Sequence, residues 1–325
     1  MQKQPDIENI IREHIVKFPY MTQGQLARYL IEHGYSNYHP EALRKVIRKV
    51  KSELGNIQTA DFGTDFDSQT DLQLPDSWYS ELEEFEIPPI YQKIAVLNDI
   101  HIPFHHKEHL QTALDYVYRW QPDCILLNGD IIDFYAVSPF VREPQYRDLN
   151  KEVEVGKKFL EYLTRRFAGV KIIFKLGNHE GRMQMYLWKK AEELNEVKAL
   201  KVQNLLEFDK FGIDFVDMNQ AIRIGALWAL HGHEIPASGG LINVARNLRL
   251  KGMDNLIFGH FHRSQEDIVT TISGKAIGAW SVGCLCGLRP MFRPISFWNA
   301  GFALITRENE LFSIENKKII LGRVL

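Results

Sequence analysis

The 325-residue chain has only three cysteines, and an odd number with Cys124 inside the apolar run DCILLNGD does not make a disulfide framework. Cys284 and Cys286, in VGCLCG, could form a soft metal pair but read better as small residues of a strand. No apolar run reaches the ~18 residues a membrane span needs. The start, MQKQPDIENI, has neither the cationic nor the apolar region of a secretion signal. These absences lead us to expect a cytoplasmic protein with no membrane partner. Charge of one sign is missing too: 39 Lys and Arg against 41 Asp and Glu leave a net charge of -2 at pH 7. Affinity for nucleic acid must then come from a local patch. What the chain has is length and 45% hydrophobic composition, enough for one sizeable domain and a smaller one.

Residues 1–55 read as a small helical domain. DIENIIREHIVKF places Ile7, Ile10, Ile11 and Ile15 at helical spacing, TQGQLARYLIEHGY opens on a threonine cap, and HPEALRKVIRKVKSELG has proline at a first helical position. The third segment turns Leu43, Val46, Ile47 and Val50 to one face and Arg44, Lys45, Arg48, Lys49 and Lys51 mostly elsewhere. A basic third helix is the pattern of a helix-turn-helix that contacts DNA or RNA, and equally that of a solvated face on a protein-contact domain. Glu53 to Gln92 contains no Lys or Arg but ten Asp or Glu, so residues 56–90 read as an acidic linker able to occupy the basic helix when nucleic acid is absent. From residue 91 to 325 apolar strand-like runs alternate with amphipathic segments such as KEHLQTALDYVYRWQ, which predicts a layered α/β domain ending in mostly antiparallel strands.

Five of those apolar runs end in polar clusters. Asp99 and His101 follow KIAVLN; Gly129, Asp130 and Asp133 follow DCILLN; Gly177, Asn178, His179 and Glu180 follow VKIIFKL. His231 and His233 follow ALWAL, and His260 and His262 follow NLIFG. Sites in open α/β sheets form outside the carboxyl ends of strands, where such clusters converge. Carboxylates, a carboxamide oxygen and imidazoles suit borderline divalent ions.

The ordered blocks DIH, GDIID, GNHE, HG and GHFH resemble the D-x-H, G-D-x-x-D, G-N-H-D/E, H-G and G-H-x-H signature of the calcineurin-like metallophosphoesterase superfamily. The resemblance covers residues 93–265 firmly, and SVGCLCGLRPMFRP with FWNAGFALI looks more loosely like phage and prophage members. It implies a four-layer α-β-β-α sandwich with the helical domain as an extension. It also implies two divalent transition-metal ions, manganese first, with iron, zinc or nickel as alternatives. By resemblance Asp99, His101, Asp130 and His262 would hold one ion, and Asp130, Asn178, His231 and His260 the other. A metal-bound hydroxide would then attack a phosphomonoester or phosphodiester. His179, matching the family's non-ligand histidine, would contact the phosphate and protonate the leaving oxygen. Asp133 would orient a ligand histidine, while His233, Arg182 and Arg263 lie where they could reach phosphate oxygens.

The block GDIID continues with Phe134-Tyr135, where the protein-phosphatase branch has Arg-Gly, which disfavours a phosphoprotein substrate. The first expectation is therefore a phosphoesterase acting on nucleic acid or a nucleotide. Two alternatives stand beside it: a small-molecule phosphatase whose N-terminal domain makes protein contacts, and a DNA-binding regulator with a weakly active metal domain.

Overall fold

Side-chain caps set the first helices. Asp6 accepts the Glu8 N–H (3.1 Å) to open α1, Ile7–Lys17. Thr22 and Gln25 form a reciprocal capping box at the start of α2, Gln23–Glu32, and α3 spans Pro40–Glu53 with proline at its first position. Ile11, Ile15, Leu26, Leu30, Leu43, Ile47 and Val50 meet in one apolar core. The cationic side of α3 is largely matched inside this unit. Arg44 pairs with Glu41 (2.6 Å), Lys49 with Glu8 (2.8 Å), and Lys51 donates to the Met21 carbonyl (2.9 Å). Lys45 and Arg48 remain exposed.

The computed structural model describes residues 6–18, 21–53, 74–141, 143–236, 242–290 and 295–325, in two compact units, Met1–Tyr79 and Ser80–Leu325. Residues 54–73 of the acidic stretch lie outside the described residues. Its last part does not: β1, Phe85–Glu86, pairs with the sheet strand at Ile222 and Arg223, and Ile87 is fully buried, so the second unit takes in residues before 91.

In chain order the second unit continues with β2 Lys93–Leu97, α4 Lys107–Trp120, β3 Cys124–Asn128, α5 Leu149–Arg166, β4 Lys171–Lys175 and α6 Gly181–Lys190. Two short helices follow, α7 Val202–Leu205 and α8 Phe208–Phe211, then β5 Asp214–Val216, β6 Ile222–Ile224, β7 Leu227–Leu230, α9 Val244–Gly252 and β8 Leu256–Phe258. The chain closes with β9 Gln265–Thr270, β10 Ala276–Ser281, β11 Ala300–Glu308, β12 Leu311–Ile320 and β13 Arg323–Val324. One sheet has the order β13-β12-β11-β2-β3-β4-β5, the other β1-β6-β7-β8-β10-β9.

Alternation along the strands builds the layers. Ala95, Leu97, Ile125 and Leu127 pack against Leu114 and Val117 of α4 and Leu160 and Leu163 of α5. The intervening Ile94, Val96 and Leu126 point the other way, onto Ile222, Ile224, Ala229 and Ile257 of the second sheet. Leu256 and Phe258 of β8 pack on Val244 and Leu248 of α9. Helices, sheet, sheet and helix form the four-layer sandwich, and β2, β3 and β4, paired in parallel, end at the same edge. Parallel β7 and β8, aligned with Leu230 opposite Phe258, bring two more strand ends together.

Candidate metal centre

At these strand ends the backbone abandons ordinary geometry. Asp99, His101, Asp130, His260 and His262 all have φ between 51° and 65°, the left-handed region that side chains with a Cβ avoid. Each such residue costs ~1 kcal/mol or more and persists only where its surroundings hold it. Here hydrogen bonding continues past the strands: Asp99 N–H donates to Gly129 O (3.1 Å), His101 N–H to Asp130 O (2.9 Å) and Gly259 N–H to His231 O (2.8 Å). Gly259 has a different task. A Cβ there would lie 2.6 Å from Asp99 Oδ2, so glycine is what lets the GHFH turn lie against that carboxylate.

Both central carboxylates have one tethered oxygen and one directed inward. Asp99 Oδ2 accepts His260 N–H (2.8 Å), and its Oδ1 faces His262 Nε2 (3.2 Å) and His101 Nε2 (3.9 Å). Asp130 Oδ1 accepts His179 N–H (2.8 Å), while Oδ2 faces His231 Nε2 (3.2 Å), His179 Nε2 (3.7 Å) and His101 Nε2 (4.0 Å). The far nitrogens of the rings are committed: His101 Nδ1 to Asp133 Oδ2 (3.1 Å) and His231 Nδ1 to the Asn128 carbonyl (2.9 Å). This fixes each Nε2 toward the centre, the arrangement that metal-binding histidines need.

The residues fit cations. His101 Nε2 and His262 Nε2 point at one another across 3.2 Å, and Asp99 Oδ1, Asn178 Oδ1 and His231 Nε2 are buried without a hydrogen-bond partner. Burial alone would neutralise the acids, but facing imidazoles hold the Asp99 carboxyl down at about 2 and Asp130 well below the usual range. Burial likewise works against a charged His231, yet Asp130 raises it to about 10. Ligand atoms of His101, Asp130 and His179 lie within 4.8 Å of one another, as do those of Asp130, His231 and His260. Asp130 belongs to both groups.

The sequence model described as calcineurin-like phosphoesterase matches residues 92–271, more than half of the chain. The chain belongs to that family. It is a metal-dependent phosphoesterase of a family that works with divalent metals. Two phage proteins are similar to it: the Gene 54 protein of Mycobacterium phage L5, 28% identical over 71% of this chain and 95% of its own length, and that of Mycobacterium phage D29, 26% identical with the same coverage. Among solved structures, Vps29 of Entamoeba histolytica complexed with zinc covers 72% of this chain and 96% of its own at 15% identity and a TM-score of 0.39. A dimetal phosphatase from Danio rerio covers 70% and 96% at 11% identity and a TM-score of 0.34.

In this phosphoesterase the remaining singled-out residues take varied places. Asp133 contacts His101, and Arg182 donates to both its Oδ1 and its backbone carbonyl (each 2.9 Å). Arg182 Nη2 also lies 2.8 Å from His179 Nε2, so its guanidinium is engaged within the protein. The His233 ring is 5.5 Å from that of His231 and 6.4 Å from that of His260. Arg263 lies over the Phe297 ring at 5.4 Å.

Several contributors carry no role in the sequence reading. Fully buried Glu180 accepts four backbone N–H groups: Asp130 (3.0 Å) and Gly177 (2.8 Å) on Oε2, Ile131 and Ile132 (both 2.8 Å) on Oε1. Burial and the Asp130 charge push this carboxyl up to about 7 against the pull of those donors. With donors on both oxygens, the carboxylate is the form that the geometry fits. Fully buried Lys175 ends the apolar KIIFK and pairs with Glu234 (3.0 Å), which accepts His231 N–H (3.0 Å) and Gly232 N–H (2.7 Å). A lysine inside that run was the one available signal. Cys284 and Cys286 lie past the end of β10 rather than within a strand, and Cys286 Sγ is 3.7 Å from His262 Nδ1.

Proposed function

We propose that this phosphoesterase hydrolyses a phosphodiester of nucleic acid or of a nucleotide, with Asp99, His101, Asp130 and His262 holding one cation and Asp130, Asn178, His231 and His260 the second. The observation that carries this reading is Asp130 Oδ2, which faces imidazole nitrogens from both groups while its other oxygen is tied to the backbone. When bound, the cations supply Lewis acidity toward the phosphoryl oxygens and lower the pKa of an attacking water. The protein's part is to hold the ligand atoms and to manage the leaving group's proton. His179 is set for the second task. Its Nδ1 lies 3.3 Å from Asp133 Oδ2 and its Nε2 accepts from Arg182, so once Arg182 turns to a phosphate oxygen Nε2 is free to take a proton from solvent and pass it to the leaving oxygen.

The test is a manganese-dependent panel of bis-p-nitrophenyl phosphate, p-nitrophenyl phosphate, cyclic nucleotides, single-stranded DNA and duplex DNA. Diesters are expected to turn over faster than the monoester, and His179→Asn should keep its metal but lose most rate on the poorest leaving groups. Hydrolysis of the monoester alone would favour the small-molecule phosphatase, and no metal-dependent hydrolysis at all would remove the proposal.

A nucleic-acid contact by the N-terminal unit rests on Lys45 and Arg48, because the acids of the unit occupy Arg44 and Lys49. Two phosphate contacts predict a log–log salt dependence of duplex binding with a slope of about -2. The Lys45→Ala, Arg48→Ala double variant should flatten it. A wild-type slope near zero would leave this unit to protein contacts.

A further inference from the structure

We infer that Phe104, Tyr135 and Tyr146 form a platform beside the metal centre on which a nucleobase of the substrate stacks. This rests on the phosphodiester reading above and assigns to it the part of the substrate recognised.

Phe104 is three residues beyond His101 and Tyr135 two beyond Asp133. A parallel bridge between Ile102 and Ile132 and the Asp133 N–H to Ile102 O bond (2.9 Å) bind these two stretches side by side. Both rings therefore start from the backbone that carries His101 and Asp133. Their centroids are 5.3 Å apart, and Tyr146 closes the group at 5.9 Å from Phe104 and 6.4 Å from Tyr135. The rings meet edge-on, at 63° to 86°, with no pair stacked. Phe104 stays 36% exposed and Tyr146 47% exposed, so ring surface faces solvent next to a phosphoester site.

The fold holds these rings in place at some cost. Phe134, just before Tyr135, is fully buried with φ at 50°. Glu152, 2% exposed, spends both carboxylate oxygens on the N–H groups of Tyr135 (2.7 Å) and Ala136 (2.9 Å). The Tyr135 hydroxyl accepts the Glu143 N–H (2.8 Å), tying the ring to the segment that bears Tyr146. Held ring faces on which, among the described residues, no other ring is stacked suit a flat π-system, and a nucleotide brings one attached to the phosphate being cleaved. Base stacking on an aromatic side chain tolerates any base, so this platform would favour nucleosides over other alcohols without reading sequence.

Two diesters with the same leaving group isolate the effect: thymidine 5′-(p-nitrophenyl phosphate) and methyl p-nitrophenyl phosphate. The ratio of their kcat/KM values should favour the nucleoside by about tenfold or more in the wild type. It should fall about tenfold in Phe104→Leu and in Tyr146→Leu, which keep an apolar side chain and remove the π face. No nucleoside preference in the wild type, or a ratio that survives both substitutions, would overturn the platform while leaving metal-dependent hydrolysis standing. If neither ester is hydrolysed the phosphodiester reading fails, and equilibrium binding of thymidine 5′-monophosphate decides the platform separately. Binding weakened in Phe104→Leu supports it, and binding absent or unchanged rules it out.

Discussion

Asp130→Asn is expected to lower kcat by about a thousandfold and to reduce bound metal from two ions per chain toward one or none. The substitution keeps the shape of the side chain and removes its charge. Asp130 is 1% exposed, with Oδ1 committed to His179 N–H, so an asparagine would keep its carbonyl there and turn its NH2 toward His231, His179 and His101. That places hydrogen-bond donors where the carboxylate presents a lone pair to both ligand groups. A unit charge ~4 Å from another is worth about 4 kcal/mol at the effective dielectric of a partly solvated protein site. At ~1.4 kcal/mol per factor of ten in rate, losing one such interaction from the transition state accounts for about three decades. Elemental analysis of the dialysed variant and its turnover on bis-p-nitrophenyl phosphate check the prediction. Two metals bound with wild-type kcat would show that Asp130 is not shared between cations.

The strand ends were legible because glycine, aspartate, asparagine and histidine follow apolar runs too short for helices, and parallel strands must finish at a common edge. The layers were legible for a related reason: Ile94, Val96 and Leu126 alternate with Ala95, Leu97, Ile125 and Leu127, the mark of strands buried on both faces. What the pattern hides is direction. Arg182 stands one helical turn from His179 and reads as a phosphate contact; the sequence does not show that its guanidinium also meets Asp133, 49 residues earlier in the chain. Lys49 reads as one of a row of cations for nucleic acid, yet Glu8, 41 residues away, meets it on the surface of the same three-helix unit. Cys286 reads as a small strand residue and comes to rest beside His262. In each case the decisive partner is distant in sequence and reached through tertiary packing, which local periodicity does not encode.

Glu180 shows the same limit most sharply, and Glu180→Gln should cost both stability and metal affinity. The residue closes the GNHE block and could be taken for another oxygen ligand. Instead its oxygens collect the N–H groups of Asp130, Ile131, Ile132 and Gly177, joining the turn after β3 to the turn after β4. Glutamine replaces one acceptor oxygen with an NH2, and whichever way the amide turns, two buried N–H donors then face a donor. Each buried donor left unpaired costs roughly 1–3 kcal/mol, so the pair costs about 4 kcal/mol. At ~2–4 °C per kcal/mol for a domain of this size, the melting temperature should fall by about 10 °C. Because the loosened turns carry Asp130 and Asn178, metal affinity should fall with it. The metal-free protein separates the two roles of this carboxylate. A backbone clamp predicts that the variant melts lower than the wild type even after both are stripped with a chelator. A cation ligand predicts that their melting temperatures then coincide, and that result would make Glu180 part of the metal centre.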